Sequence, residues 1–279
     1  YRKRLIATYG AEVTTAIGEA YLTLAPIDLT VKSDPQHWAD TLGGTVLPTG
    51  TVRLDKFEGS VADLPGFADG AWWVQDAAAA IPARLMGDIK GKRVADLCAA
   101  PGGKTAQLIM QGAHVTAVEQ STSRIKRMTG NFQRLGLTAE IVNARLEDYE
   151  PAELFDAVLL DAPCSSTGTI RRHPDVLWTK GVEDIETLAG VQYRLLTSAF
   201  QLVRPGGTIV FSNCSLDRLE GEDLIEKFLA ITPSAERMPI NPADWPGLEQ
   251  AITPVGAFRT TPAMLGGMDG FFAAVLRKA

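Results

Sequence analysis

From residue 92 onward, short apolar runs alternate with longer segments of helical periodicity, and this alternation limits the fold more than any other feature of the sequence. The apolar runs cover 93–98, 113–119, 139–142, 157–161 and 208–212. Helices are predicted from 104, over 121–135, around 183–203 and over 220–229. Strands that alternate with helices are typical of a parallel sheet with helices on both faces. We therefore predict an α/β fold, to which a terminal pair around 258 and over 270–277 adds a hairpin at one edge.

The first 70 residues follow a different pattern. Apolar residues recur at helix-like intervals over 1–24, which predicts one helix there. Short strands are predicted over 27–32 and 51–54 and a helix over 34–42, because glycine and proline interrupt the chain between 43 and 50. The sequence thus predicts a small α+β subdomain over 1–70 and a main domain over 71–279.

The charge balance limits the partners that the chain can bind. Its 279 residues carry a net charge of −6, which excludes a protein that coats nucleic acid through overall positive charge. Any RNA binding must therefore use local basic groups. Three such groups are present: residues 2–4, the four basic residues of 124–134, and Arg171-Arg172-His173.

Other composition features exclude further classes. The three cysteines form no C-x-x-C pair, which argues against a disulfide framework or a zinc site, and no metal is expected. No run of 18 apolar residues and no secretory leader is visible, so we expect a cytoplasmic protein, acting as a monomer. Because the chain does not begin with methionine, we expect it to begin inside a longer gene product.

All three cysteines follow predicted strands, where an open parallel sheet binds its ligands. Free cysteine is most often a small buried hydrophobe, and for Cys98 we prefer that interpretation. Cys164 and Cys214 lie in polar loops, so two thiols facing one cleft indicate thiol chemistry on the ligand.

A glycine-rich loop follows the first strand of the main domain and consists of Cys98, Ala99, Ala100, Pro101, Gly102, Gly103, Lys104 and Thr105. Its end resembles a P-loop, but Cys98 stands where the first glycine of that motif is required, which argues against an NTPase. Glu119 ends the second strand, where an acidic side chain is suited to accept hydrogen bonds from a ribose diol.

Three ordered blocks of sequence resemble a known family. They are 96–105 (DLCAAPGGKT), 160–168 (LDAPCSSTG) with 171–175 (RRHPD), and 212–216 (SNCSL), and the tail segments 259–262 and 269–272 are similar as well. The blocks resemble the signatures of the Sun/Fmu (Nop/Sun-type) RNA cytosine-C5 methyltransferases, most of all the bacterial members that act on small-subunit ribosomal RNA. The resemblance implies a class I S-adenosylmethionine methyltransferase fold, which is Rossmann-like with a mostly parallel seven-stranded sheet. The NusB-like helical domain that often precedes it is not expected in this chain.

The resemblance also implies roles for individual residues. Cys214 corresponds to the nucleophile that adds to cytosine C6, and Cys164 to the thiol that assists release of the product. Asp161 is expected to contact the cytosine amino edge or N3, and Lys104 to position that carboxylate and the base. The residues that would bind S-adenosylmethionine are Cys98 to Lys104, Glu119, Arg124, Asp161 and, at the adenine, Arg145.

Two departures from the family pattern and three alternative functions accompany this interpretation. Asn213 stands where the family usually has threonine, and Arg145 where it usually has an acidic residue. The alternatives are a catalytically silent RNA-binding assembly factor, a tRNA cytosine-C5 methyltransferase and a DNA methyltransferase. The presence of both cysteines argues against a silent protein, and DNA enzymes of this chemistry have no need of Cys214.

Overall fold

The computed structural model describes all 279 residues, Tyr1–Ala279. Its N-terminal part contains two helices and four strands: α1 (Arg2–Ala20), β1 (Ile27–Val31), α2 (Pro35–Leu42), β2 (Thr45–Val46), β3 (Val52–Leu54) and β4 (Trp72–Val74). The strands form an antiparallel sheet in the order β2-β3-β1-β4. Helix α2 begins where the Asp34 carboxylate accepts the His37 N–H, and it ends at Gly43, whose φ of 67° suits glycine. The small sheet therefore extends to Val74, and the division at residue 70 stays a prediction.

The larger part of the chain alternates strands and helices as predicted. Its elements are α3 (Ile81–Arg84), β5 (Arg93–Leu97), α4 (Gly103–Met110), β6 (His114–Glu119), α5 (Thr122–Leu135), β7 (Glu140–Asn143), β8 (Phe155–Asp161), α6 (Val176–Thr179), α7 (Val182–Leu202), β9 (Val203–Asn213), α8 (Glu222–Ile231), β10 (Ala235–Arg237), β11 (Phe258–Thr260) and β12 (Phe271–Lys278).

These strands form one mixed sheet that confirms the predicted α/β class. Seven strands lie in the order β10-β12-β9-β8-β5-β6-β7, and the eighth, β11, pairs only with β12. Strands β9, β8, β5, β6 and β7 are parallel, and β12 runs antiparallel to β9. The predicted terminal hairpin forms between β11 and β12, but β12 is not an edge strand. It lies inside the sheet between β9 and β10, and Phe271 to Leu276 are buried.

Helices cover both faces of this sheet. Alternate residues of β8 point to opposite sides, with Val158 and Leu160 in one core cluster and Leu159 in the other. Helices α7 and α8 cover the first side, where Phe200 packs edge-on against Phe228 with ring centres 5.4 Å apart. Helices α3 and α4 cover the second side.

Helix α1 contacts the C-terminal half of the main sheet. It is interrupted at Gly10, whose backbone is non-helical (φ 79°, ψ 170°). Arg4 donates two hydrogen bonds of 2.7 and 2.8 Å to the carboxylate of Asp217, and the Tyr9 hydroxyl donates to the Leu216 carbonyl at 2.8 Å. The first helix of the chain thereby holds the loop that follows β9. None of the helices has both the length and the hydrophobicity that a transmembrane segment requires.

Candidate active site

The loops that follow β8 and β9 meet at the carboxyl edge of the sheet and bring two predicted cysteines together. The Sγ atoms of Cys164 and Cys214 are 3.4 Å apart. Gly168 allows this close approach, because a Cβ atom there would lie 1.9 Å from the Gly270 carbonyl oxygen and 2.7 Å from that of Cys214. The Gly168 N–H donates to the Cys214 carbonyl at 2.8 Å. Both loops are thus fixed against each other by backbone contacts.

The two thiols hold their protons with different strength. The hydrogen bond from Cys164 holds the pKa of Cys214 below its usual value of 9.0. The same hydrogen bond, together with burial, raises the pKa of Cys164 well above that value. Cys214 is therefore the better placed of the two to act as a thiolate nucleophile.

Asp161 lies at the end of β8 between a cation and a hydroxyl. Lys104 Nζ is 2.7 Å from Asp161 Oδ2, and the Ser212 hydroxyl donates to Asp161 Oδ1 at 2.9 Å. Burial opposes the charge of Lys104, but the Asp161 carboxylate outweighs it and raises the pKa of the ammonium above its usual value. The structure therefore brings the predicted pair into direct contact. Ser212 was not predicted as part of this site.

The glycine-rich loop connects β5 to α4 and requires a glycine directly before the helix. Gly102 has a φ of 99° directly before the helix begins, and an added Cβ would approach the Met128 side chain to 2.9 Å. Arg124 donates to the carbonyl of Ala100 at 2.5 Å. Burial raises the pKa of Cys98 to about 12, so this thiol stays protonated, as expected for a structural cysteine.

Glu119 and Arg145 line one cavity of about 520 Å³ together with Cys98, Asp161 and Cys214. This volume is in the range of small-molecule sites. Glu119 is buried; its Oε1 accepts the Ser121 N–H at 2.9 Å, and its Oε2 forms an ion pair with Nη1 of Arg124 at 3.3 Å but accepts no hydrogen bond. A buried oxygen that receives no hydrogen bond can accept one from a ligand hydroxyl, and the role of Glu119 at a ribose stays a prediction. Arg145 is exposed and lies 3.6 Å from Glu147, and its role stays a prediction.

A second cavity of about 290 Å³ adjoins the first and is lined by Lys104, Arg172 and Phe271. Cys98, Ala100, Asp161 and Cys214 line both cavities. The arrangement places a nucleophilic thiol and a carboxylate where two ligands would meet, which is what a group transfer between a cofactor and a substrate requires.

The basic group at 171–173 is less accessible than its sequence indicated. Arg171 is buried, and its Nη2 donates to Asp76 Oδ2 at 2.8 Å. Arg172 is half-exposed and donates from Nε to Asp269 Oδ1 at 3.1 Å. The RRHPD block therefore contacts the DGFF tail, and Arg171 cannot serve as a free cation for RNA.

The comparisons with known proteins agree on one family, as a family model and curated relatives show. A family model described as 16S rRNA methyltransferase RsmB/F matches residues 85–277. Ribosomal RNA small subunit methyltransferase B of Vibrio cholerae is 40% identical over 223 residues, which cover 78% of this chain and 49% of that protein. The protein of the same name from Pseudomonas syringae pv. tomato is 42% identical over 224 residues, with 78% and 50% covered.

A solved structure extends the similarity beyond the part that the sequences align. The crystal structure of a methyltransferase homolog protein from Pyrococcus horikoshii superposes with a TM-score of 0.83 and 27% identity, over 99% of this chain and 94% of that one. The whole chain, with its small sheet, thus shares one architecture with that protein. The chain spans about half the length of the curated relatives it matches.

Proposed function

Because the chain belongs to the 16S rRNA methyltransferase RsmB/F family, we propose that it transfers a methyl group from S-adenosylmethionine to C5 of a cytosine in 16S rRNA. The observation that carries the proposal is the pair of thiols 3.4 Å apart beside Asp161 and Lys104. Cytosine C5 is a poor nucleophile, and a thiolate that adds to C6 makes it reactive. Two thiols with opposite pKa shifts supply a nucleophile and a proton holder for that chemistry.

The larger cavity supports the cofactor part of the proposal. When bound, S-adenosylmethionine supplies an electrophilic methyl group on its sulfonium sulfur. The glycine-rich loop at 98–104 lines this cavity, and the Oε2 of Glu119, which is paired with Arg124 but receives no hydrogen bond, would accept a ribose hydroxyl. Arg124 would hold the loop through Ala100, and Arg145 would lie toward the adenine.

The side chains would act in sequence on a cytosine that has left its base stack. The Cys214 thiolate forms a bond to C6, and the electron pair of the C5–C6 double bond moves to C5. Asp161 accepts a hydrogen bond from the cytosine amino group while Lys104 holds that carboxylate in place. C5 would gain the methyl group as the bond between that methyl and the sulfonium sulfur breaks, and a base would then take the proton from C5. The C6–S bond breaks as the double bond re-forms, and Cys164 supplies its proton to the departing Cys214.

The test is bisulfite sequencing of total RNA from a strain that lacks the gene. We expect one cytosine of 16S rRNA to lose its resistance to conversion, and the wild-type gene, but not a Cys214→Ala copy, to restore it. Loss of a tRNA site in place of the ribosomal one would make the chain a tRNA enzyme. An unchanged methylation pattern would indicate the silent assembly factor.

A further inference from the structure

Glu220 lies in a short turn between β9 and α8, and it is completely buried. Its carboxylate accepts four hydrogen bonds. Oε1 accepts the Ser165 N–H at 2.8 Å and the Gln192 side-chain amide at 2.7 Å. Oε2 accepts the hydroxyl of Ser165 and, at 2.5 Å, that of Ser215. A buried carboxylate without a cationic partner needs such donors to remain in place.

The donors belong to the residues that adjoin the two thiols. Ser165 directly follows Cys164, and Ser215 directly follows Cys214. Asn213, the residue before Cys214, donates to the backbone carbonyl of Glu220 at 2.6 Å. Glu220 thus contacts the residues on either side of Cys214 and the residue that directly follows Cys164.

We propose that Glu220 is the positioning residue that holds the Cys164 and Cys214 thiols within reach of each other by binding the loop of each cysteine. The geometric part of this inference stands on the contacts alone, and its catalytic part rests on the proposed function. Helix α7 completes the tie, because Gln192 donates both to Glu220 and, at 3.0 Å, to the Pro163 carbonyl. The carboxylate also adds to the raised pKa of Cys164, after the hydrogen bond to Cys214 and burial.

Two conservative variants distinguish the effect of the length of the Glu220 side chain from the effect of its charge. Glu220→Gln keeps the length of the side chain and one acceptor oxygen but loses the charge. Glu220→Asp keeps the charge but is one methylene shorter, so it cannot bind both loops at once. If the side chain acts by position, Gln should replace Glu better than Asp does. If it acts by charge, the order should be reversed.

The first measurement is the rate at which diamide oxidises Cys164 and Cys214 to a disulfide, identified by peptide mass spectrometry. Diamide takes up the two electrons and two protons that the thiols release. No RNA or cofactor is needed, so this measurement does not depend on the proposed function. A disulfide forms only within a narrow range of Cβ separations, so we expect Glu220→Asp to slow it by about tenfold or more and Glu220→Gln by less than about threefold.

Controls distinguish loop displacement from general loss of stability. Leu224→Ala removes a buried side chain from α8 that donates no hydrogen bond to either cysteine loop, and it should leave the oxidation rate near that of the wild type. Oxidation rates measured at about pH 7 and about pH 9 distinguish a changed distance between the thiols from a changed ionisation. A changed thiolate fraction alters the dependence of the rate on pH, whereas a longer distance lowers the rate at both pH values.

The second measurement is single-turnover methylation of RNA, with the time course of adduct release followed separately. We expect Glu220→Asp to lower both rates while the RNA concentration that gives the half-maximal rate changes little. Glu220→Gln should retain most of the wild-type value of each rate. Oxidation of a folded Glu220→Asp variant at the wild-type rate would overturn the positioning role. If the variants differ in oxidation rate as expected but no protein, the wild type included, methylates RNA, the result would instead contradict the proposed function.

Discussion

At the scale of single residues, the two cysteines form an unequal pair although they stand in similar loops. Cys164 holds its proton more tightly than Cys214, because the contact between the two thiols at 3.4 Å raises the pKa of Cys164, together with burial, and lowers that of Cys214. An attacking thiol and a releasing thiol should fail in opposite ways when each is removed.

We predict that Cys214→Ala abolishes methyl transfer and leaves no covalent species, since nothing remains to add to C6. Cys164→Ala should still methylate but release slowly, so a protein–RNA adduct should accumulate on denaturing gels. Cys98→Ala serves as the control and should trap no adduct, because burial keeps that thiol protonated. An adduct in Cys214→Ala and none in Cys164→Ala would reverse the two roles.

A second prediction concerns the Glu119 carboxylate. Glu119→Ala should weaken binding of S-adenosylmethionine by roughly 1–3 kcal/mol, the scale of a lost hydrogen bond to a charged group. Calorimetry measures this directly, with Glu150→Ala as a control in an exposed acidic residue outside the cavity. Tight binding of ATP with no affinity for S-adenosylmethionine would show that the cavity is misassigned.

Some site residues were predictable from the sequence and others were not. Cys164, Cys214 and Asp161 end strands or follow them directly, so the sheet topology alone places them at one edge. Glu220 gave no comparable signal, because a buried glutamate and an exposed one look alike in a single sequence, and Ser212 was placed at the end of its strand but was assigned no role. Their roles depend on contacts such as that from Ser165 to Glu220, which joins residues 55 positions apart.

At the scale of secondary structure, the strands with continuous apolar runs were predicted within a few residues. Strand β4 was missed because its pairing with β1 across about 40 intervening residues leaves no local signal. Strand β10 was missed for a similar reason, since its three residues pair only with the end of the chain. The position of β12 inside the sheet also depends on long-range pairing with β9.

The end of strand β5 carries a testable pH dependence. Burial raises the pKa of Asp96 to about 7 from its usual 3.8, although Thr105 donates to it at 2.6 Å. Between these values the unfolded chain has released the proton and the folded chain retains it. The free energy of unfolding therefore falls as the pH rises from about 4 to about 7.

We predict that Asp96→Asn makes this decline shallower, because asparagine does not titrate. Thermal unfolding of the protein alone at several pH values measures the slope. Asp88→Asn is the matched control, since that carboxylate is exposed and its loss should leave the slope unchanged. Equal slopes in the wild type and Asp96→Asn would mean that other groups cause the dependence.

At the scale of the whole molecule, the net charge of −6 means that RNA must be attracted by a few cations around the cavity. We predict that RNA affinity falls steeply with salt. Arg194 is exposed at the larger cavity, and Arg194→Ala should reduce the slope of log K against log salt by about 0.7 for one single-strand phosphate contact. Lys92→Ala, at the opposite edge of the sheet, should not change it. Salt-independent nanomolar binding would contradict this electrostatic account.

The contact between α1 and the loop after β9 has a consequence for the order in which the protein is made. Arg4 and Asp217 are 213 positions apart, so α1 is synthesised long before the loop that it contacts. At the usual 5–20 residues per second that delay is about 10–40 s. Strands β5 and β6 and the glycine-rich loop emerge early in that interval, whereas Cys214 emerges only near its end. Because Cys214 lines the same cavity as Glu119, the proposed site cannot be complete until almost the whole chain has been synthesised.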